Sequence, residues 1–271
     1  MPGSGYGFAR AQLRDHPTVF ADRLFSGKVV MVTGAGGGLG LAIAILFARL
    51  GADLAINGRN PDKLEDAAAF LRGFGGQVLA RPMTIRDPGQ VQDFVDAVGT
   101  HFGGLDILVN NAGGQFPQPA LDYTPKGWNA VIDTNLNGTW WMMQAAARNW
   151  VKAGRPGAIV SIVADIWRGM PGIAHSCAAR AGVIYLSKSI AVEWAPHEIR
   201  VNAVCPTFVE TPLTKVMFEN EAIKTDILGR TPLGRLATPQ EVAAAIVFLA
   251  SPQAGMITGT ALAIDGGWTA I

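Results

Sequence analysis

The run Thr33-Gly34-Ala35-Gly36-Gly37-Gly38-Leu39-Gly40 carries the clearest chemistry in this chain. A turn built of glycines lets backbone N–H groups come close to a pyrophosphate, because no Cβ stands in the way. The turn follows an apolar run, Val29-Val30-Met31-Val32, and opens an apolar, helix-like segment over 39–50. A helix N-terminus at that point adds unpaired N–H donors and the positive end of a dipole, both suited to an anion. The spacing is T-G-x3-G-x-G rather than the commoner G-x-G-x-x-G. Glycine makes up 33 of the 271 residues, so the run alone says little; its place between strand and helix points to a dinucleotide. The alternative is a tight turn without a ligand. About 20 residues further on, an NAD site places Asp or Glu on the ribose hydroxyls. Here the segment reads Asn57-Gly58-Arg59-Asn60, with no acid. Arg59 offers a planar fork for a ribose 2′-phosphate, a group an acid would repel. The expected cofactor is NADPH, the alternative a solvated loop arginine.

These groups need elements to hold them. Residues 53–57 read as a second strand, followed by a helix that Pro61 opens behind the cap residue Asn60 and that runs to about Arg72. Strand-like segments recur at 77–83, 105–109, 158–163, 200–204 and 261–264. Helical segments lie at 88–101, 125–152, 175–194 and 239–250. Strand and helix alternate without a linker. The expected fold is α/β: a single Rossmann-type doubly wound domain with a mostly parallel seven-stranded sheet and helices on both faces. Residues 1–26 read as a loosely held arm, 27–271 as the domain, and 205–238 as a long connection with the place and mixed polarity of a substrate lid, Met217, Phe218, Ile223 and Ile227 among its apolar residues.

Composition narrows the function. An apolar fraction of 49% supports a large core, and charged residues at 16% are few for a free-standing surface, which hints at a homo-oligomer. Net charge is +1 without a basic block, so nothing points to nucleic acid. Cys177 and Cys205 give neither a disulfide framework nor a metal-ligand spacing. No stretch has the length and apolarity of a membrane span or a signal peptide, so a cytoplasmic protein is expected.

The glycine turn, Asn110-Asn111-Ala112-Gly113, Asn135 and the closing Asp265-Gly266-Gly267 together resemble the short-chain dehydrogenase/reductase superfamily over about 28–268. The resemblance implies that Gly34, Gly38 and Gly40 line the pyrophosphate, with Gly36, Gly37 and Leu39 in the same turn. It puts Asn111, Ala112 and Gly113 beside the adenosine, and Pro206, Val209 and Thr211 at the nicotinamide end. Thr84 and Ile85 take the adenine contact, with Thr84 where the family usually has an acid, and Thr207 stands where it usually has Gly. Many members act through Ser, Tyr and Lys. Counting along the motif puts Ser176 at the tyrosine, Arg180 at the lysine, and Val163 or Ala164 at the serine. Tyr185-x-x-Lys188 has the wrong spacing.

The runs 110–116, 126–128 and 175–183 look like the peroxisomal trans-2-enoyl-CoA reductases and, less closely, the 2,4-dienoyl-CoA reductases of fatty-acid metabolism. That resemblance implies NADPH-driven reduction of a carbon–carbon double bond conjugated to an acyl thioester, in an oligomer that is often a tetramer. The chemistry is coherent. Ketone reduction builds an alkoxide and needs a strong proton donor, whereas hydride addition to an enoyl thioester builds an enolate that positioned hydrogen-bond donors can hold. Ser176 and Asn135 are the expected donors, Arg180 a fixed cation near the ribose, and Asp165 either a carboxylate that caps the loop before Ser176 or a further acid there. His175 is expected to pack or cap. Trp140, Trp141, Met142 and Met143 are expected in the core or a subunit contact, and Phe116, Trp167, Met170 and Phe208 are candidates for the substrate pocket. Two rivals remain: a carbonyl or alcohol oxidoreductase with an atypical site, and an NADP-binding protein without turnover.

Overall fold

A computed structural model of the protein describes residues 9–165, 167–211, 214 and 217–271. Seven strands form one sheet: β1 (Val29–Val32), β2 (Asp53–Gly58), β3 (Val78–Pro82), β4 (Ile107–Asn110), β5 (Gly157–Ile162), β6 (Ile199–Pro206) and β7 (Ala261–Ile264). Their order is β3-β2-β1-β4-β5-β6-β7, and every neighbouring pair is parallel. A sheet covered on both faces needs apolar side chains on both, which is why β1 and β4 are buried at every position. The chain reverses direction across the sheet between β1 and β4, and a crevice opens there at the carboxyl ends of the strands.

Helices α2 (Gly38–Arg49) and α3 (Pro61–Arg72) pack on one face together with α9 (Pro239–Ala250). The other face carries α4 (Pro88–Phe102), α6 (Gly138–Ala153) and α7 (Ala174–Trp194). Four helix starts use one grammar: a polar cap followed by proline at the first turn. Asn60, Asp87, Thr124 and Thr238 each accept from a backbone N–H of that turn, ahead of Pro61, Pro88, Pro125 and Pro239.

Three features depart from the sequence-based expectations. The arm is not loosely held over its described part: α1 (Arg10–Asp15) buries Leu13, Arg10 pairs with Asp66 and lies over the Phe70 ring, and Arg49 donates to the carbonyls of Leu13 and His16. The helix expected over 125–152 is continuous but contains a π-helical turn, Asp133–Asn137, between α5 (Pro125–Ile132) and α6. Thr134 and Thr139 turn their hydroxyls back onto the carbonyls of Ala130 and Asn135, an arrangement that competes with the regular helical ladder. The connection 205–238 holds a helix of its own, α8 (Glu221–Gly229), capped by Asn220. Among the described residues no helix is long and apolar enough to cross a membrane.

Candidate active site

The glycine turn closes over the crevice between β1 and β4. Gly34 and Gly38 have φ of +69° and +54°, which an L side chain would strain. A Cβ on Gly40 would lie 2.5 Å from the Gly34 carbonyl oxygen and closer still to Asn111 Nδ2, whereas Gly37 and Gly38 face open space. The turn is therefore tight against the protein behind and open in front, the shape a pyrophosphate needs. Asn57 accounts for the missing acid: its Oδ1 accepts from Gly34 N at 3.1 Å and its carbonyl from Ala35 N at 3.0 Å. One hydroxyl ties the two strand ends together. Thr33 Oγ1 accepts from Asn111 N and Ala112 N, both at 2.9 Å, while Asn111 Nδ2 donates to the carbonyls of Thr33 and Gly34.

The reacting end lies where the π turn meets the loop after β4. Asn135, buried on that turn, uses its side-chain amide as a peptide would: Nδ2 donates to Gly114 O at 3.0 Å and Oδ1 accepts from Gly114 N at 2.9 Å. The same Nδ2 lies 3.4 Å from Ser176 Oγ, and the Ser176 hydroxyl donates to Gln115 Oε1 at 2.7 Å. Arg180, one turn along α7, donates through Nη1 to Ile162 O at 2.6 Å, and a Cβ on Gly113 would sit 2.9 Å from its Nη2. Burial lowers the Arg180 pKa to about 10, against the opposing pull of Cys205 and Cys177, so the guanidinium stays charged at neutral pH. Among the described residues no carboxylate pairs with it, and its buried Nε has no partner. A cation left in this state fits an anionic or electron-rich cofactor edge.

The wall beside this frame comes from the ends of β5 and β6. Asp165 is 4% exposed; its N–H donates to Pro206 O and its Oδ1 accepts from Trp167 N at 3.1 Å. Burial raises its pKa and the nearby Asp265 charge adds to this, while the Trp167 N–H and Arg168 pull the other way. Cys205, between Asp165 and Arg180 in its interactions, is pushed up to about 12 by burial and remains a thiol. After Pro206 the chain makes a bridge from Val209 to Ala237, and Thr211 N donates to Thr214 Oγ1, which in turn donates to Val209 O.

The expected residues therefore fall into two groups. Asn135, Ser176 and Arg180 come together around Gly113 and Gly114, and Asp165 comes against Pro206. Gly34, Gly40, Asn111 and Ala112 are locked side by side, with Gly36 against the start of α3 and Leu39 packed on the core at the start of α2. Ile85 is buried under Gly138, with Thr84 beside it, and Arg59 stands exposed at the end of β2 without a hydrogen bond or ion pair among the described residues. Tyr185 is 74% exposed with Lys188 over its ring, away from the frame. His175 is packed, as expected: Phe116, Tyr123 and Trp128 surround its ring, and its Nδ1 accepts from Ser176 N. Gln115 was not foreseen as a functional residue. Its signal was a lone amide in the loop just past Gly113, visible as functional only once α7 brings Ser176 to it.

Known proteins agree with this architecture. A family model described as enoyl-(acyl carrier protein) reductase matches residues 34–269. A probable 2,4-dienoyl-CoA reductase ((2E)-enoyl-CoA-producing) of Bacillus subtilis is 40% identical over 89% of this chain and 96% of its own length. A 3-oxoacyl-(acyl-carrier-protein) reductase FabG of Thermotoga maritima is 37% identical over 89% of this chain and 97% of its own. Among solved structures, a proposed 2-deoxy-d-gluconate 3-dehydrogenase of Agrobacterium tumefaciens with bound NADP is similar with a TM-score of 0.85 and 33% identity, over 93% of this chain and 100% of that one. The chain belongs to the short-chain dehydrogenase/reductase superfamily, and it is an oxidoreductase of that type.

The knot at Thr33 gives a direct test. Thr33→Val keeps the shape but leaves the amides of Asn111 and Ala112 without their acceptor. Chemical denaturation should show a loss of about 1–3 kcal/mol with an unchanged m-value, the cost of half-buried donors left without their acceptor.

Proposed function

We propose that this protein reduces the carbon–carbon double bond of a 2-enoyl thioester, with NADPH as the hydride source. The observation that carries this reading is the frame Gly114–Asn135–Ser176–Gln115, a linked set of one alcohol and two amides that contains no strong acid. Of the chain's three tyrosines, Tyr6 lies outside the described residues, Tyr123 commits its hydroxyl to Gly172 O at 2.9 Å, and Tyr185 faces outward. By the count along the motif, Ser176 and Arg180 take the positions of the usual Tyr and Lys. A serine hydroxyl holds an oxyanion well and protonates an alkoxide poorly. The donor set suits an enolate better than an alkoxide.

In this reading NADPH, when bound, supplies the hydride. Gly34, Gly36, Gly37, Gly38, Leu39 and Gly40 hold its pyrophosphate, Arg59 its 2′-phosphate, and Asn111, Ala112, Gly113, Thr84 and Ile85 its adenosine side. Pro206, Val209 and Thr211 form the nicotinamide end, with Arg180 a fixed cation against the ribose. Ser176 holds the thioester oxygen by turning its hydroxyl from Gln115 Oε1 to the substrate, and Asn135, whose Nδ2 lies 3.4 Å from Ser176 Oγ, positions it. Connection 205–238 is the lid over the acyl chain, and in it Phe208 packs against Phe218 and against Trp268. The protein also assembles with copies of itself: stacked Trp140 and Trp194 line a surface groove with Ala147 and the exposed Val151, rimmed by Arg148, Lys152, Glu193 and His197.

Side-by-side NADPH oxidation with 2-enoyl-CoAs and 3-oxoacyl-CoAs tests the reading; turnover is expected with the first set, and turnover confined to the second would overturn it. Ser176→Ala should lower enoyl turnover by about 10²-fold, the cost of losing one oxyanion donor. Arg59→Ala should weaken NADPH by roughly 1.5–3 kcal/mol and leave NADH nearly unchanged; an equal loss for both would show that Arg59 reads no phosphate. Sedimentation at micromolar concentration should show an oligomer, and a monomer alone would refute the assembly.

A further inference from the structure

The frame around Ser176 hangs on a stretch of helix that has little reason of its own to be helical. In Asp133-Thr134-Asn135-Leu136-Asn137-Gly138-Thr139 only Leu136 is a good helix former, so side-chain bonds decide the register the backbone takes. That register is a π turn, closed where Gly138 N donates to Asp133 O, five residues back. Two threonine hydroxyls bracket its centre: Thr134 donates to Ala130 O at 2.8 Å and Thr139 to Asn135 O at 3.0 Å. The second bond differs from the first in two ways. Thr139 is 5% exposed, so little water competes for its hydroxyl. Its acceptor also belongs to the residue whose amide pairs with Gly114 and lies beside Ser176. A threonine bonded to the carbonyl four residues before it competes with the regular ladder and bends the helix.

The turn is held from outside as well. Leu136 fills the gap over Gly182 on α7, where a Cβ would lie 3.1 Å from one of its methyls. That contact fixes the spacing between the turn and the helix that carries Ser176. Gly138 lies so close to Ile85 that a Cβ there would sit 2.7 Å from Ile85 Cγ1. Resting on the enoyl thioester reading for its effect on turnover, we propose that Thr139 is a positioning residue of this site: its hydroxyl, bonded to Asn135 O, holds Asn135 at the angle at which its amide pairs with Gly114 and reaches Ser176. The outer contacts set where the turn lies, and the hydroxyl sets how Asn135 is presented within it. Thr139 touches no substrate and acts through Asn135 alone.

Thr139→Val keeps the branched shape and removes only the hydroxyl, whereas Thr139→Ser keeps the hydroxyl and removes only the methyl. The first readout needs no substrate. Gly114 is exposed, yet its N–H is bonded to Asn135 Oδ1, so in the wild type that amide should exchange slowly with deuterium, read by mass spectrometry with fragmentation to single residues. In Thr139→Val it should exchange about ten-fold faster, the effect of one weakened hydrogen bond. The amides of Asn111 and Ala112, held by Thr33, should keep their protection. The second readout is kinetic. With a 2-enoyl-CoA, kcat should fall by about 10–10²-fold in Thr139→Val, the scale for a displaced donor, with NADPH binding retained. Thr139→Ser should restore both. Thr139→Ala, which differs from Thr139→Ser only by the hydroxyl, replaces Thr139→Val if that variant does not fold. An unprotected Gly114 amide in the wild type, unchanged exchange or unchanged enoyl turnover in Thr139→Val, or a Thr139→Ser as impaired as Thr139→Val would each overturn the assignment. A wild type inert towards every enoyl thioester, with Gly114 exchange as expected, is a different failure: it removes the parent reading and leaves the positioning role standing.

Discussion

The side chain of Asn135 acts as a second backbone. By both donating to and accepting from Gly114, it joins the long helix to the loop after β4 in the way two strands join each other. The pairing needs an amide at the right depth and angle, and a regular helix does not give it freely. The π turn Asp133–Asn137 shifts the residues of that turn relative to the helix on either side. Once Asn135 is fixed, Gly113 and Gly114 are fixed too, Arg180 is confined beneath Gly113, and Ser176 meets both Asn135 and Gln115. The tight approach of Gly113 to Arg180 and Asn135 leaves no room for a side chain. Site geometry at the reacting end thus follows from one pairing and one irregular helical turn.

Much of the scaffold was legible in the sequence, for physical reasons. The central strands β1 and β4 are nearly continuous apolar runs because both sheet faces are covered there, and four of the helices announce their starts with a cap residue and a proline. The glycine turn was legible because its conformation and close contacts admit little else. What the sequence hid depends on contacts distant along the chain. The π turn has no signature in apolar periodicity; it follows from hydroxyls and an amide that choose carbonyl partners after packing. The arm looked loose because its anchors, Arg49, Asp66 and Phe70, lie far from it in sequence. Gln115 looked like an ordinary loop amide because its partner, Ser176, is on α7. Asp165 was noticed as an acid in the right loop, but its burial and its bond to the Trp167 N–H exist only in the fold.

Relatives of similar identity carry names that refer to alkenes, to 3-oxo groups and to sugars. The scaffold accommodates this range because hydride delivery depends on the sheet and the glycine turn, while the reaction outcome depends on a few donors at the mouth of the crevice. An acidic phenol there favours an alkoxide product. A frame of weak donors favours an enolate that is held first and protonated at carbon afterwards. The central claim about this chain is that its donors have been set for the second outcome.

A competition experiment tests that claim most directly. Purified protein is given deuteride-labelled NADPH with crotonyl-CoA and acetoacetyl-CoA present together, and the labelled products are separated by mass and position. The account predicts deuterium at C3 of butyryl-CoA, with acetoacetyl-CoA left unreduced. Deuterium found instead in 3-hydroxybutyryl-CoA, with crotonyl-CoA untouched, would contradict it.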